Sequence, residues 1–522
     1  MQHLFCTLVA PRRALFESLE QRTLLSGDIV LEWNALALEA NKIDHGVGAP
    51  HLNAGPGRSA RALAIVHGAI FDAINAIDGS YTPWLVTDVH PQRGASIDAA
   101  AAQAAHDTLA ALYPYLKSTY DTALANDLKH ISDTAAARGV AVGQAVASEI
   151  LAARANDGSS AVESYTPGTL PGQWRPDPLH PTQTALNPMW GDVDTFAIES
   201  ASQFPIAPAP ALSSPEYAAA YNEVKALGGN GTSTPTIRTP EQAIIGNYWG
   251  YDGTPGLGTP PRLYNQIART IAVKKDNSEI QNARYFALIN FAMADAGISC
   301  WNDKYVYSFW RPVTAIREND AGTGPSGLGS GNPLLLNQGD ANWTPLGAPA
   351  SNASGTNFTP PFPAYASGHA TFGGALFRTI ADFYGTEKIK FSFVSDEFNG
   401  VTKDQNGVTR PKIVRTFNTL SQAMEENGQS RIYLGIHWSF DKVEGIKCGK
   451  SIADYVVANT LRPVHNGCGN LAAAANSGME FTSVDDTSST TSLRSTVLNV
   501  TPVQGDDGSV IGFTARAENV LL

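Results

Sequence analysis

Apolar residues recur at three- and four-residue intervals through ARALAIVHGAIFDAINAID, residues 60–78, and the pattern stops at Gly79. That spacing is one face of an α-helix closed by a C-terminal glycine. From Gly57 onward the chain continues in this style, with alanine-rich segments at about 97–112, 118–136 and 140–155 separated by short polar or Pro/Gly breaks. Residues 157–213 are rich in Pro, Gly and Ser and read as a long irregular connection. Helical patterns resume at 215–227, 240–250 and 262–274, then run from about 279 to 310. A second Gly/Pro/Asn-rich stretch, 319–366, precedes helices expected at about 368–385, 414–430 and 442–460. Strand-like alternation is scarce: 389-IKFSFVS-395, and a short piece at 508–515 inside a Ser/Thr/Asp-rich tail. The pattern predicts a mainly α-helical protein of packed helices. Its irregular connections are longer than a compact protein usually carries, which marks them as candidates for function.

Composition narrows the class. With 522 residues, 43% hydrophobic and 16% charged, the chain has the profile of a globular protein able to bury a large core. A net charge of −12 argues against a nucleic-acid surface and a polybasic membrane patch. No apolar run is expected to reach the length of a spanning helix. Cys6, Cys300, Cys448 and Cys468 show no C-x-x-C spacing, so buried free thiols are favoured over a Cys448–Cys468 bridge. Near the N-terminus, FESLEQRTLLSGD (16–28) resembles the LEPR-XLL-type signature of exported bacterial proteins, with Gln21 where proline is usual. Residues 1–28 are therefore read as an address, destined for the periplasm, cell surface or medium.

Three clusters in the second half carry chemistry. In 304-KYVYSFWRP-312, Lys304 and Arg311 are seven residues apart, two helical turns or about 10 Å of rise, so both would leave one helix face. Two long cations there suit an oxyanion, though taken alone a basic edge lying over the core is the favoured reading. In 363-PAYASGHATFGGA-375, Ser367 and Gly368 would open a helix whose unpaired N–H groups attract anions, with His369 in reach to exchange a proton near neutral pH. An N-cap serine before a core histidine fits the stretch equally well. In 430-SRIYLGIHWSFD-441, the spacing lets Asp441 hold one ring nitrogen of His437 and leave the other as a basic lone pair. An ordinary His–Asp pair on a helix surface has the same spacing. His67, His106 and His130 lie in helical patterns without evident partners and are read as structural or surface residues.

Taken together, two arginines, a lysine, a Ser-Gly donor pair and two histidines match a tetrahedral or trigonal-bipyramidal oxyanion. K-x6-RP at 304–312, SGH at 367–369 and SR-x5-H-x3-D at 430–441 together resemble the signature of the vanadium-dependent haloperoxidase and type 2 phosphatidic acid phosphatase superfamily. CWNDKYVYSFWRP, PPFPAYASGHATFG and SRIYLGIHWSFD resemble its vanadium chloroperoxidase branch, as do 55-GPGRSARALAIVHGAIFDAINAI-77 and 249-WGYDGTPGLGTPPRLYNQIAR-269. The similarity spans most of residues 28–465. Ala366 replaces the proline usual before Ser-Gly-His, which should loosen the turn without removing a ligand.

The resemblance implies two four-helix bundles, one in 29–213 with its connecting loop and one in 214–470 bearing the site, followed by a tail, 471–522, without a recognisable relative. It implies vanadate as cofactor, its oxygens held by Lys304, Arg311, Ser367, Gly368 and Arg431. His437 would be the axial ligand to the metal, oriented by Asp441, and His369 the acid–base residue. Trp301 and Phe362 match halide-site positions, and Asp252 is a candidate ion-pair partner for one arginine. Hydrogen peroxide would oxidise halide to hypohalous acid, with Lys304 polarising bound peroxide; the organic halogen acceptor is not indicated. Phosphate fits the same ligand set, so phosphomonoester hydrolysis through a phosphohistidine at His437 is the alternative reading. A non-catalytic, exported oxyanion-binding protein is a third. Apolar helical surfaces are compatible with a homodimer.

Overall fold

The computed structural model describes residues 28–162, 164–464, 494–504 and 510–521. Two compact units emerge, Met1–Pro463 and Val464–Leu522. The larger is helical: α1 (Ile29–Asp44), α2 (Pro56–Asp78), α3 (Ile97–Leu112), α4 (Lys117–Leu128), α5 (Asp133–Ala153), α6 (Pro215–Leu227), α7 (Pro240–Tyr248), α8 (Pro260–Lys275), α9 (Glu279–Tyr307), α10 (Pro312–Arg317), α11 (Gly368–Tyr384), α12 (Leu420–Tyr433) and α13 (Ser439–Asn459). One antiparallel hairpin, β1 (Phe391–Asn399) with β2 (Lys412–Phe417), interrupts them. The all-α reading of the sequence therefore holds. Local chemistry explains many of the boundaries. Helices α2, α6, α7, α8 and α10 open on proline, whose missing N–H would be unpaired there anyway. Ser278 with Gln281 forms a capping box at α9, and Gly79 closes α2 in the left-handed conformation, φ 71°.

Several expectations are corrected. Helix α1 precedes the point at which the helical pattern was read to start, and Asp28, assigned to the address segment, caps it by accepting from the Leu31 N–H at 3.0 Å. Residues 1–27 lie outside the described residues. The helix expected over 118–136 is two helices, broken between Leu128 and Asp133. Residues 414–417 belong to β2, where Phe417 pairs with Phe391, and α12 begins only at Leu420. Helix α9 stops at Tyr307 because Ser308 turns left-handed, φ 46°. One helix, Pro56–Asp78, is after all long and apolar enough to cross a membrane by length and composition; 83% of its apolar window is buried inside the protein. Cys300 and Cys448 are buried free thiols, while Cys6 and Cys468 lie outside the described residues.

Packing around α9 positions the site. This helix is buried almost continuously from Asn282 to Lys304 and packs against α2, α11 and α13, so helices from both halves of the unit share it. A helix covered on every side needs apolar residues all round, which hides its periodicity. Helices α11 and α13 approach closely through glycine: a Cβ at Gly374 would meet the Ile446 carbonyl at 2.7 Å, and one at Gly449 would overlap the Thr371 carbonyl. The second unit contains β3 (Arg494–Gln504) paired antiparallel with β4 (Val510–Leu521), a longer strand than the 508–515 piece expected.

Candidate active site

The starts of α11 and α13 meet, and the site forms where they do. Ser367 caps α11 in an extended conformation, and its N–H donates to the Asp441 carbonyl at 3.1 Å. Its Oγ is buried without a hydrogen-bond partner. Gly368 is the first helical residue, and a Cβ there would come within 3.3 Å of the Trp301 ring. His369 follows, and its Nε2–H donates to the Gly250 carbonyl at 2.7 Å, which leaves Nδ1 as the lone pair. Its own carbonyl accepts from Tyr264 Oη at 3.0 Å and Asn427 Nδ2 at 2.8 Å.

His437 lies just before α13. Its Nδ1 is 2.7 Å from Asp441 Oδ2, while Arg311 Nη1 donates to its Nε2 at 2.9 Å. A guanidinium can only donate, so Nε2 carries the lone pair and Nδ1 the proton. Asp441 occupies the third position of α13 and reaches back, also accepting from the Trp438 N–H at 3.0 Å. The expected His–Asp contact is present, but as a buried helix cap rather than a pair on a helix surface. Arg311 is also placed differently from expectation: after Ser308 the chain leaves α9, and Arg311 sits extended before α10. Its side chain donates to the carbonyls of Phe362 at 2.8 Å and Ile436 at 2.7 Å, leaving Nη2 buried and unpartnered. Lys304, at the end of α9, donates to the carbonyls of Pro363 at 2.9 Å, Ala364 at 3.1 Å and Ala366. Arg431 pairs with Asp252 at 2.6 Å, as the sequence suggested, and its Nε and Nη1 are buried and unpartnered.

Burial dominates the electrostatics. It drives His437 well below the usual histidine range, helped by Arg311, Lys304 and Arg431, so the ring is neutral. It drives His369 equally far down, with Arg431 adding to the effect. Burial, more than the neighbouring cations, therefore disfavours the protonated His369 ring. Burial lowers Lys304 to about 7 and Arg311 to about 9, and raises Asp441 to about 7. Asp252 is raised by burial and held down by Arg431.

Gly368, His369, Arg431, His437 and Asp252 line one cavity of about 310 Å³ together with Trp301 and Phe362, whose rings lie 5.0 Å apart. Lys304 Nζ lies 4.9 Å from the Phe362 ring centre, and the Arg311 guanidinium 4.8 Å from it. Lys304, Arg311, Ser367 and Asp441 do not line the cavity themselves but contact residues that do or adjoin them in sequence. Others were missed: His45, His51, Leu186 and Phe358 line the same cavity, Tyr264 and Asn427 hold the His369 backbone, and Gly250 fixes its ring. Glu397, paired with Arg410 at 2.6 Å, takes the Tyr251 N–H at 3.3 Å and so holds the loop carrying Gly250 and Asp252. No local signal announces these contacts, which arise from segments far apart in the chain. His67 and His106 do have partners, Asn34 for the first and Asp107 and Asp121 for the second.

The site can be set against known proteins. Residues 20–189 match the model of the vanadium chloroperoxidase N-terminal domain, and residues 284–466 match that of the second helical-bundle domain of the same enzyme. The vanadium chloroperoxidase of Curvularia inaequalis is 34% identical over 88% of this chain and 85% of its own. A bacterial vanadium-dependent iodoperoxidase superposes with a TM-score of 0.65 at 22% identity, covering 84% of this chain and 98% of that one. The holo form of a bacterial vanadium-dependent chloroperoxidase gives 0.59 at 16% identity, covering 78% and 93%. These two show the shared helical fold, and the domain models and the Curvularia relative show the family. The chain belongs to the vanadium chloroperoxidase family of enzymes.

Proposed function

We propose that this enzyme oxidises halide with hydrogen peroxide to hypohalous acid, using vanadate bound at His437. The carrying observation is the surroundings of His437: its Nε2 accepts from Arg311 Nη1, and the residues around it carry buried donors that lack partners, namely Ser367 Oγ, Arg311 Nη2 and Arg431 Nε and Nη1. Buried donors left unsatisfied are costly unless a ligand completes them. Three cations face two carboxylates there, so an oxyanion restores both hydrogen bonding and charge. Lys304, Arg311, Ser367, Gly368 and Arg431 would hold its oxygens, with His437 Nε2 bonding the metal. When bound, vanadate supplies Lewis-acid activation of peroxide, the metal remaining in the +5 state.

The chain's own residues do the remaining work. Asp441 keeps the His437 proton on Nδ1, so that Nε2 stays a ligand. Bound negative charge would oppose the cations that now depress His369, restoring its Nδ1 as a base for a peroxide proton while Gly250 retains Nε2–H. Lys304 places a positive charge beneath the aromatic wall of Trp301 and Phe362, where a halide could sit with little water. The balance is H2O2 + X⁻ + H⁺ → HOX + H2O, two electrons passing from halide to peroxide.

The test uses metal-free protein, vanadate, peroxide, bromide and a halogen-accepting dye. Dye bromination that requires both vanadate and peroxide is the expected result. Hydrolysis of a chromogenic phosphate ester, inhibited by vanadate and without bromination, would establish the phosphatase reading instead. Tight phosphate binding with neither activity would leave a binding protein.

A further inference from the structure

The polar floor accounts for only part of the cavity. Its volume of about 310 Å³ is ten or so times the ~30 Å³ share of one water molecule. Peroxide and a halide need only a few such shares. Above the floor the walls are apolar, formed by Trp301, Phe362, Phe358, Pro56 and Pro360. Concave apolar space with a few placed polar groups is how proteins bind small organic molecules.

The polar group at the mouth is His51. It adopts the left-handed conformation, φ 57°, and its Nδ1 lies 2.7 Å from the Asp44 carbonyl, which fixes the proton on Nδ1 and the lone pair on Nε2. Asp44 is buried and accepts from the Leu52 N–H at 3.1 Å, the Asn53 N–H at 2.7 Å and Tyr115 Oη at 2.8 Å, so the loop presenting His51 is firmly tied. The neighbouring His45 is committed at both nitrogens, Nδ1 to the Asn41 carbonyl at 2.7 Å and Nε2 to the Gly55 N–H at 3.1 Å. His51 is exposed at the rim of the cavity, and among the described residues its Nε2 makes no protein hydrogen bond.

We propose that the outer half of the cavity is a subsite for a phenol, its ring against the aromatic and proline walls and its O–H donated to His51 Nε2. This rests on the haloperoxidase reading. Hypohalous acid formed at the floor would meet the ring before reaching bulk solvent, in the balanced step ArH + HOX → ArX + H2O. The ring's electron pair bonds the halogen, and the displaced ring proton joins the hydroxide of the hypohalous acid as water. Hydrogen bonding of the phenol to His51 enriches the ring in electrons, which favours that step.

The experiment measures binding by equilibrium dialysis with metal-free protein, so it needs neither vanadate nor turnover. The probes are p-cresol and its methyl ether, which lacks the O–H. One saturable site that prefers p-cresol is expected. Phe358→Ala should weaken both probes about tenfold, whereas His51→Phe should weaken only p-cresol, by about fivefold. Absence of saturable binding, or an unchanged preference in His51→Phe, would overturn the subsite. Dye bromination by the vanadate-loaded enzyme reports separately: bromination without p-cresol binding sinks the subsite alone, and p-cresol binding without bromination sinks the chemistry.

Discussion

Two polar clusters are buried in this fold, and they are built on opposite principles. Where α1, α2, α8 and α9 meet, Asn34 bonds His67 at 2.7 Å and Asn265 at 3.2 Å. Asn265 and Asn290 exchange amide bonds at 2.8 and 3.1 Å. The amides of that cluster largely satisfy one another, Arg269 donates to Asn34 Oδ1 at 3.3 Å, and His67 Nδ1 is left without a partner; burial lowers His67 to about 3. At the starts of α11 and α13 the donors are instead charged, fastened by one side and left open on the other. The first arrangement specifies packing. The second holds unsatisfied charge that a ligand must complete, the usual conflict between stability and function.

Substitutions should separate the two. His437→Ala removes the Nε2 lone pair, and vanadate-dependent halogenation should fall by about 1,000-fold or more; full turnover in this variant would refute the assignment. Asp441→Ala releases the His437 tautomer without touching the oxyanion, and a loss of about 10–100-fold in vanadate affinity is expected from titration. Lys304 supplies a pH signature. Its charge is present below about 7 in the anion-free site and is lost above, whereas a bound anion raises its pKa. Phosphate affinity should therefore weaken above pH 7 more steeply in wild type than in Lys304→Met. In the asparagine cluster, Asn265→Ala should cost about 1–3 kcal/mol of unfolding free energy, read by denaturant titration, with oxyanion affinity unchanged. Ser367→Ala is the converse and smallest case: an Oγ without a partner is lost, so stability should move by less than about 0.5 kcal/mol while oxyanion affinity drops roughly fivefold.

The same contrast explains what was legible in the sequence. Lys304, Ser367, His369, His437 and Asp441 sit in short segments whose order and spacing carry the chemistry, so the site's membership could be read along the chain. The all-helical architecture was legible for a similar reason, since periodicity and caps are local. Arg311 was misplaced because Ser308 breaks α9 between it and Lys304, and a serine at positive φ leaves little trace in a sequence. In the small-residue run after His369, Gly374 serves the contact with α13, which no local pattern shows. The depressed proton affinity of His369 could not be read either, because it depends first on burial and then on Arg431, both set by segments distant in the chain. His51 and Phe358 reach the cavity from loops 307 residues apart in numbering, without a motif to link them.

The central claim is that the buried, unpartnered donors around His437 Nε2 form one oxyanion site. Calorimetric titration of the metal-free protein with vanadate tests it most directly. One equivalent per chain is predicted, displaced competitively by phosphate and weakened at least tenfold when both Ser367 and Arg431 are changed to Ala. Absence of binding, or undiminished binding in that double variant, would contradict the account.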